Sequence, residues 1–183
     1  MAISDFDLVE ICNHGVAAEA ERAFNTLYQR HKSYVIRVAL RYVSDNDMAL
    51  DVLQETFTYL LKKFPPTGDG LTLTSQLTTL LYPVAKNSAL TLLQKAGRFP
   101  ADGDQQPDDL PGPEMVETPD IGGLLGELSE ERREVIRLRF VDDMSLQEIA
   151  DTLKVPLGTV KSRLHLAIRQ LRDSPAIKKS HFS

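Results

Sequence analysis

The sequence predicts an all-α protein made of two small helical domains joined by a flexible acidic linker. Apolar residues on both sides of the middle recur at spacings of three and four, which is typical of amphipathic helices. Sustained alternation of polar and β-branched residues is missing, apart from the short LTLT at 71–74. Residues 98–123 are rich in Pro, Gly, Asp and Gln and are predicted to be the linker between domains at 1–97 and 124–183.

Four helices are predicted in the first domain. Ser4 is placed to cap a first helix that ends near Gly15, and a long second helix with a break near 31–33 follows. The polar residues at 44–47 are expected to begin a third helix. A fourth helix is expected over roughly 75–96.

The third helix has an apolar face and a polar face. Pro65 and Pro66 must end it, because proline breaks the backbone hydrogen-bond pattern. Its predicted apolar stripe consists of Leu53, Phe57, Leu60, Leu61 and Phe64. Its predicted polar face consists of Asp51, Gln54, Glu55 and Thr58.

Charge is distributed unevenly along the chain, whose formal net charge is −5. Residues 99–127 carry eight acidic side chains and no Lys or Arg. From Lys154 onward there are seven Lys or Arg residues and only one acid, Asp173. The late part of the chain can therefore attract a polyanion although the whole chain is acidic.

Several classes of protein are disfavoured by composition. The single cysteine, Cys12, cannot form an internal disulfide and fits a reducing compartment. The acidic start does not resemble a secretory signal, and no apolar run approaches the roughly 20 residues that span a bilayer. The histidines lack ligand spacing, and no phosphate loop or nucleophile motif is present. We therefore expect a cytoplasmic protein without enzymatic activity, membrane insertion, cofactor or metal.

Residues 145–172 have the spacing of a helix-turn-helix. Ser145 and Glu148 form a capping-box pattern that fixes where its first helix begins. Lys154 lies in the turn, and Pro156 suits the first position of the second helix. The predicted buried face of the first helix is Ile149, Ala150 and Leu153.

The second helix of this pair separates into an apolar and a basic face when its residues are placed 100° apart. The predicted core-facing residues are Val160, Leu164, Ala167, Ile168 and Leu171. The predicted strip of donors is Gly158, Lys161, Ser162, His165, Arg169 and Arg172. A major groove accepts a helix of this width, and cationic donors there meet phosphates and guanine edges. This pattern predicts DNA binding.

The segment LSEERREVIRLRFVDDMSLQEIADTLKVPLGTVKSRLHLAIRQLR resembles the C-terminal domain of the bacterial extracytoplasmic-function (ECF) RNA polymerase sigma factors of the sigma-70 family. Its GTVKSRLH, from Gly158 through Thr159 to His165, is similar to the recognition helix of that family. In the first domain, DVLQETFTYL at 51–60 resembles the family's D-L-V-Q-E-T-F helix, and LLYPVAKNSALTLL at 80–93 resembles its W-L-Y-R-I-A-R-N helix. The resemblance implies a sigma region 2-like domain for core polymerase and the −10 element, and a region 4-like domain for the −35 element.

The resemblance also implies partners and contact residues. RNA polymerase core, through its β′ clamp helices and β flap, and promoter DNA are the implied partners, and an anti-sigma factor is a further candidate. Asp51, Gln54, Glu55 and Thr58 would contact the clamp helices. Lys161, Ser162, Arg163, His165 and Arg169 would read or flank the −35 element. Arg163 lies on the flank of the strip, which assigns it to phosphate contact or packing. The −10 candidates on the fourth helix are Lys86, Asn87 and Lys95.

The fourth helix departs from the family pattern. Leu80 and Pro83 stand where Trp and Arg are common, and the chain contains no Trp. Capture of a single strand favours aromatic platforms and cations, and this helix is poor in both. Two alternatives therefore stay open beside a sigma factor. One is a helix-turn-helix transcriptional regulator, and the other is a sigma-like protein that binds polymerase or an anti-sigma factor without opening DNA.

Overall fold

The computed structural model describes residues 3–97 and 125–174, and these ranges belong to two compact units. Within these ranges the structured elements are α-helices and no strand occurs, so the predicted all-α class is confirmed. The predicted linker at 98–123 lies outside the described residues.

Among the described residues, four long helices lie in the first unit and three in the second. The first four are α1 (Asp5–His14), α2 (Ala17–Ala39), α3 (Asn46–Leu61) and α4 (Leu77–Lys95). The last three are α5 (Glu130–Phe140), α6 (Leu146–Leu153) and α7 (Leu157–Asp173).

Local capping sets where α1 and α3 begin. The Ser4 hydroxyl accepts a hydrogen bond from the Asp7 backbone N–H, and the Asp7 carboxylate accepts one from the Ser4 backbone, which completes a capping box. The Ser4 hydroxyl also donates to the Asp7 carboxylate at 2.6 Å, and this bond, together with the one from the Ser4 backbone, lowers the pKa of Asp7. The Asp45 side chain accepts from the Asp47 N–H at 2.8 Å. Both predicted starts are confirmed.

The predicted break near 31–33 is wrong, because α2 runs without interruption from Ala17 to Ala39. Tertiary contacts hold the helix through this segment. His31 is buried and its Nε2 lies 2.7 Å from the Asp5 carboxylate of α1. Tyr34 and Val35 continue the buried face directly after it. Buried side chains on one face keep a helix intact where local propensity is weak.

The core of the first unit lies between α2, α3 and α4. Phe57 of α3 meets Phe24 and Tyr28 of α2 in edge-to-face contacts, with ring centroids 6.2 and 4.8 Å apart. Cys12 is buried in the same unit, and burial raises the pKa of its thiol to about 11. The thiolate is the nucleophilic form, so the folded protein keeps this cysteine unreactive near neutral pH.

Leu61 does not belong to the buried stripe of α3, contrary to the prediction. It is 52% exposed, whereas Leu53, Phe57, Leu60 and Phe64 are buried. At 100° per residue Leu61 lies about 70° from the centre of the stripe. The neighbouring helices cover the centre and leave this edge open.

The second unit carries the predicted helix-turn-helix. Ser145 and Glu148 form the expected capping box. Pro156 occupies the cap position before α7, not its first helical position. In α6, Ile149 and Ala150 are buried as predicted.

The third predicted core residue of α6, Leu153, is only half-buried, and Thr152 is buried in its place. The Thr152 hydroxyl lies 3.9 Å from the sulfur of Met144, which is itself buried. The turn before α6 therefore folds over Thr152 and shifts the covered face by one position.

Replacing Lys154 by glycine is expected to stabilise the second unit by about 1 kcal/mol. Lys154 adopts the left-handed conformation, with φ 55° and ψ 40°, where a side chain crowds the backbone and glycine does not. Urea unfolding of the full chain measures the change. Lys154→Ala retains a Cβ and is the matched control, so an equal gain from both variants would contradict relief of backbone strain.

Candidate nucleic-acid and protein interfaces

The predicted polar face of α3 forms one side of a surface groove. Asp51, Gln54, Glu55 and Thr58 are all exposed. They face α4 across a cavity of about 820 Å³. The other residues that line it are Tyr59, Lys62, Val84, Asn87, Ser88, Thr91 and Leu92. The α3–α4 groove is thus a polar surface with two carboxylates on one wall.

The structure adds Tyr59 and Lys62 to this surface, although the sequence analysis passed over both. Tyr59 is 40% exposed, and Lys63 Nζ lies 4.7 Å from the centroid of its ring. Asp51, Glu55 and Tyr59 are each four residues apart, and residues at this spacing lie on the same face of a helix. The sequence could therefore have predicted that Tyr59 joins this surface. An exposed tyrosine beside charged residues is typical of the residues that dominate protein interfaces.

Gln54 and Thr58 also border a second groove on the opposite side of α3. This α2–α3 groove has a volume of about 420 Å³ and is mostly apolar. Leu50 and Leu61 at its edge are 53% and 52% exposed. The predicted polymerase-binding residues therefore form a ridge between a polar groove and an apolar one.

The three predicted −10 residues of α4 lie in different surroundings. Asn87 lines the α3–α4 groove together with Asp51 and Glu55, whose negative charge disfavours a DNA strand at that point. Lys86 is half-buried, with its Nζ 5.7 Å from the centroid of the Tyr42 ring. Lys95 is exposed in the last turn of the helix. The structure does not bring these three residues together.

Tyr42 supplies an aromatic ring beside α4 from outside that helix. Its hydroxyl lies 2.9 Å from that of Tyr82, which is buried in α4. Together with the contact to Lys86, this places a ring and a cation on the same side of α4. The residues within α4 alone do not reveal this pair, because Tyr42 lies 44 residues before Lys86 in the chain.

The basic strip of α7 is exposed nearly as predicted. Gly158, Lys161, Ser162, His165, Arg169 and Arg172 are exposed, and Thr159 is half-buried. A Cβ added at Gly158 would meet nothing within 4 Å, so the start of α7 is open to a ligand. This surface can present cationic and hydroxyl donors along one side of a helix.

Ile168 lies in the basic strip and not in the core, so its predicted burial is wrong. It is 47% exposed and lines a surface cavity of about 490 Å³ with His165, Arg169 and Arg172. Under α7, Val160 is fully buried as predicted, and a cluster of Leu125, Leu128, Ile136 and Ala167 has Leu164 and Leu171 packed against it. This core is narrower than the arc that the sequence assigned to it, so the residue at the edge of the arc stays in solvent.

Arg163 packs within the second unit. Its Nη2 donates to Glu131 Oε1 of α5 at 2.7 Å, and its side chain is 23% exposed. From its position on the flank of the strip, Arg163 was predicted to contact phosphate or to pack within the protein. The contact with Glu131 corresponds to the packing role. Its role toward DNA stays a prediction.

Replacing Glu131 by glutamine is expected to increase the salt dependence of DNA binding by the second unit. Loss of the carboxylate releases Arg163, and one additional phosphate contact steepens the slope of log affinity against log salt by about 0.9. Fluorescence anisotropy with a −35 duplex between 50 and 300 mM salt measures the slope. Adding Arg163→Ala to Glu131→Gln should remove the increase, and a slope that Glu131→Gln leaves unchanged would contradict competition for Arg163.

The segment before α5 is fixed to α7 by side-chain hydrogen bonds. Gln170 Nε2 donates to the Glu127 carbonyl, and the Ser174 hydroxyl donates to the Glu127 carboxylate at 3.1 Å. Arg133 donates to the carbonyls of Leu125 and Leu128 at 2.9 and 3.0 Å. Helix α7 is therefore joined to this segment near its C-terminal end.

The described residues contain neither a candidate metal site nor a candidate membrane span. No group of three His, Cys, Asp or Glu side chains there is arranged to hold a metal ion. Among the same residues, no helix combines the length and apolar character that crossing a bilayer requires.

Comparison with protein families matches both units in the predicted order. The family described as Sigma-70 region 2 matches residues 27–99, and the family described as Sigma-70, region 4 matches residues 124–173. The chain is 30% identical over 188 residues to the ECF RNA polymerase sigma-E factor of Haemophilus influenzae. The match covers 93% of this chain and 95% of that protein. The chain is also 30% identical over 165 residues to the ECF RNA polymerase sigma factor SigE of Mycolicibacterium smegmatis. This match covers 82% of this chain and only 61% of that protein.

A solved structure with a similar fold is the sigma factor RpoE in complex with the anti-sigma factor NepR from Bartonella quintana. The TM-score is 0.58 at 23% identity, and the likeness covers 85% of this chain and 96% of that chain. At this identity the likeness shows the fold alone. The two sigma-70 regions, and the identity to the Haemophilus influenzae protein over nearly its whole length, establish that the chain belongs to the family of ECF RNA polymerase sigma factors.

Proposed function

We propose that this protein directs the RNA polymerase core enzyme to specific promoters for transcription initiation. The observation that carries the proposal is the presence of two separate exposed surfaces on units that match sigma-70 region 2 and region 4. One is the ridge of α3 beside the α3–α4 groove, and the other is the basic strip of α7. A sigma factor needs both surfaces because it must hold polymerase and DNA together.

The ridge of α3 is the proposed polymerase contact. Asp51 and Glu55 are one turn apart and exposed, so their like charges disfavour the isolated helix slightly. A basic partner surface relieves this repulsion, and electrostatic complementarity also fixes the orientation of the partner. We assign this ridge to the β′ clamp helices, and we assign the β flap to the second unit.

The basic strip of α7 is the proposed −35 contact. Lys161 and Ser162 lie near the N-terminal end, which enters the major groove in helix-turn-helix proteins. Arg169 and Arg172 lie two to three turns later and are suited to the phosphate backbone. The first residues of the strip would therefore select the sequence, and the later ones would supply salt-dependent affinity.

An anti-sigma factor is proposed as a further partner. The fold of this chain is shared with the sigma factor RpoE, whose structure was solved in complex with the anti-sigma factor NepR. The apolar α2–α3 groove, with its exposed Leu50 and Leu61, offers a surface for such a partner. We further propose that the protein acts in the cytoplasm and has no catalytic activity of its own.

A second candidate is a sigma-like protein that holds polymerase without opening DNA. The composition of α4 favours it, because the cations and aromatic rings near this helix are few and its Asn87 lies in an acidic groove. Transcription from a pre-melted promoter but not from the duplex would support this candidate over the first.

Run-off transcription with bacterial core polymerase tests the proposed function. The template is a library of promoter-like duplexes in which the −35 and −10 segments are randomised, with a matched library pre-melted at −10. A sigma factor is expected to enrich transcripts from a subset of duplexes over core enzyme alone. An output equal to that of core enzyme on both libraries would contradict the proposal.

A further inference from the structure

The side chain of Asn13, at the end of α1, is bonded to the backbone of the loop between α3 and α4. Asn13 Nδ2 donates to the Leu71 carbonyl at 2.8 Å, and the Leu71 N–H donates to Asn13 Oδ1 at 2.9 Å. A primary amide offers a donor and an acceptor on adjacent atoms, so it pairs with both backbone groups of one residue. The two residues are 58 positions apart in the chain, so the contact is tertiary.

The loop is also closed on itself just before this contact. The Gly70 N–H donates to the Lys63 carbonyl at 2.9 Å, which joins the loop to the end of α3. Gly70 has φ +101°, a conformation that side chains rarely adopt. A Cβ at this position would lie 3.1 Å from Asn13 Oδ1. The glycine therefore allows the backbone to present Leu71 to Asn13.

The helix that carries Asn13 is firmly held on α2. The Asp5 carboxylate pairs with Arg30 and with His31, and the His31 Nε2 lies 2.7 Å from Asp5 Oδ2. Leu8 and Val9 are buried in the same interface. This helix lies before residue 27, where the match to Sigma-70 region 2 begins, so the family match assigns it no role.

The start of α4 has no side-chain cap. Its cap residue, Gln76, makes no side-chain cap hydrogen bond. The hydroxyl groups of Thr78 and Thr79 in its first turn are buried and make no hydrogen bond. The contact between Asn13 and Leu71, five residues before Gln76, therefore restrains the segment that leads into α4.

We propose that α1 is a brace for the α3–α4 loop, with Asn13 as its positioning residue, and that this brace is required for efficient promoter opening. The inference rests on the proposed function, in which the first unit engages the −10 region through α4. A segment that is already ordered loses less conformational entropy when it binds a ligand. The brace thus orders the entry to α4 before DNA arrives, and it leaves the polymerase-binding ridge of α3 unchanged.

Two substitutions at one position separate hydrogen bonding from packing. Asn13→Ala removes both bonds to Leu71. Asn13→Asp keeps the shape and the acceptor for the Leu71 N–H, but it replaces the donor with an oxygen that repels the Leu71 carbonyl. Asn25→Ala, at an exposed asparagine of α2, is the matched control.

The experiment measures local opening and function on the full chain. Hydrogen exchange of the Leu71 amide is expected to accelerate roughly tenfold in Asn13→Ala, which removes the acceptor of the Leu71 N–H, and less in Asn13→Asp, which keeps that acceptor but repels the Leu71 carbonyl. Permanganate reactivity of −10 thymines, with core polymerase on a duplex promoter, is expected to fall roughly fivefold in both. Affinity for core polymerase is expected to stay within about twofold of the unmodified chain.

Gly70→Ala tests the contact between Asn13 and Leu71 by a change in the α3–α4 loop. Backbone strain at the positive φ is the same in both backgrounds, whereas the push of the added methyl group against Asn13 Oδ1 is not, so the total cost to promoter opening should be smaller in the Asn13→Ala background than alone. Equal costs in both backgrounds would show that the two residues act separately and would overturn the shared brace.

The remaining outcomes distinguish this inference from the proposed function. Faster exchange at Leu71 with unchanged promoter opening would overturn the positioning role of Asn13, and unchanged exchange would overturn the brace itself. Failure of the unmodified chain to open any promoter would overturn the proposed function and, with it, this inference.

Discussion

Replacing both Asp51 and Glu55 by arginine is expected to abolish binding to core RNA polymerase while the fold stays intact. Both side chains are exposed and lie off the buried face of α3, so the substitutions raise the surface charge by four units without disturbing the core. A basic partner that was attracted is then repelled, and like charges across an interface cost several kcal/mol. We expect affinity for core enzyme to fall roughly 100-fold or more.

The measurement is a pull-down and titration of core polymerase, with circular dichroism to verify the fold. Glu19→Arg with Glu21→Arg, at two exposed acids of α2, reverses the same charge elsewhere on the first unit and is the matched control. Equal affinity of the Asp51/Glu55 variant and this control would remove the ridge of α3 from the polymerase interface.

Replacing both Lys161 and Arg169 by glutamate is expected to abolish −35 recognition. Both residues are exposed on the same side of α7, and their reversal places two negative charges against the phosphate backbone. Loss of two cationic contacts together with the new repulsion is expected to lower affinity roughly 100-fold or more at moderate salt. Neither side chain is part of the described core under α7, so the second unit should stay folded.

Anisotropy titrations with a −35 duplex measure this loss, and the two double variants serve as controls for each other. The Lys161/Arg169 variant should retain affinity for core polymerase, and the Asp51/Glu55 variant should retain affinity for the −35 duplex. Retained sequence-specific binding after both changes on α7 would contradict the assignment of this helix to DNA.

The sequence alone predicted the helices and their starts because these depend on neighbours in the chain. Ser4 with Asp7, Asp45 with Asp47, and Ser145 with Glu148 satisfy backbone N–H groups within two or three residues. A capping pair only two or three residues apart can be identified directly from the amino-acid sequence. The resemblance to ECF sigma factors was carried by the same kind of local signal, in GTVKSRLH and DVLQETFTYL, and the family match confirms it.

The sequence also predicted which side of each helix is polar, but not where burial ends. Leu61 and Ile168 lie at the edges of their apolar arcs, and both are exposed. Periodicity gives the angle of a side chain around its own helix axis. Burial at the edge of an arc depends on the width of the neighbouring helix, which the sequence of one helix does not contain.

The sequence by itself therefore determined the all-α class, the starts of α1, α3 and α6, and the family, whereas tertiary structure alone decided the contacts between distant residues. The ion pair of Arg163 with Glu131 and the bonds of Asn13 to Leu71 join positions 32 and 58 residues apart. The uninterrupted α2 likewise depends on His31 meeting Asp5. Such pairs form only when separate helices pack at one particular angle and register, and side-chain packing between helices sets both.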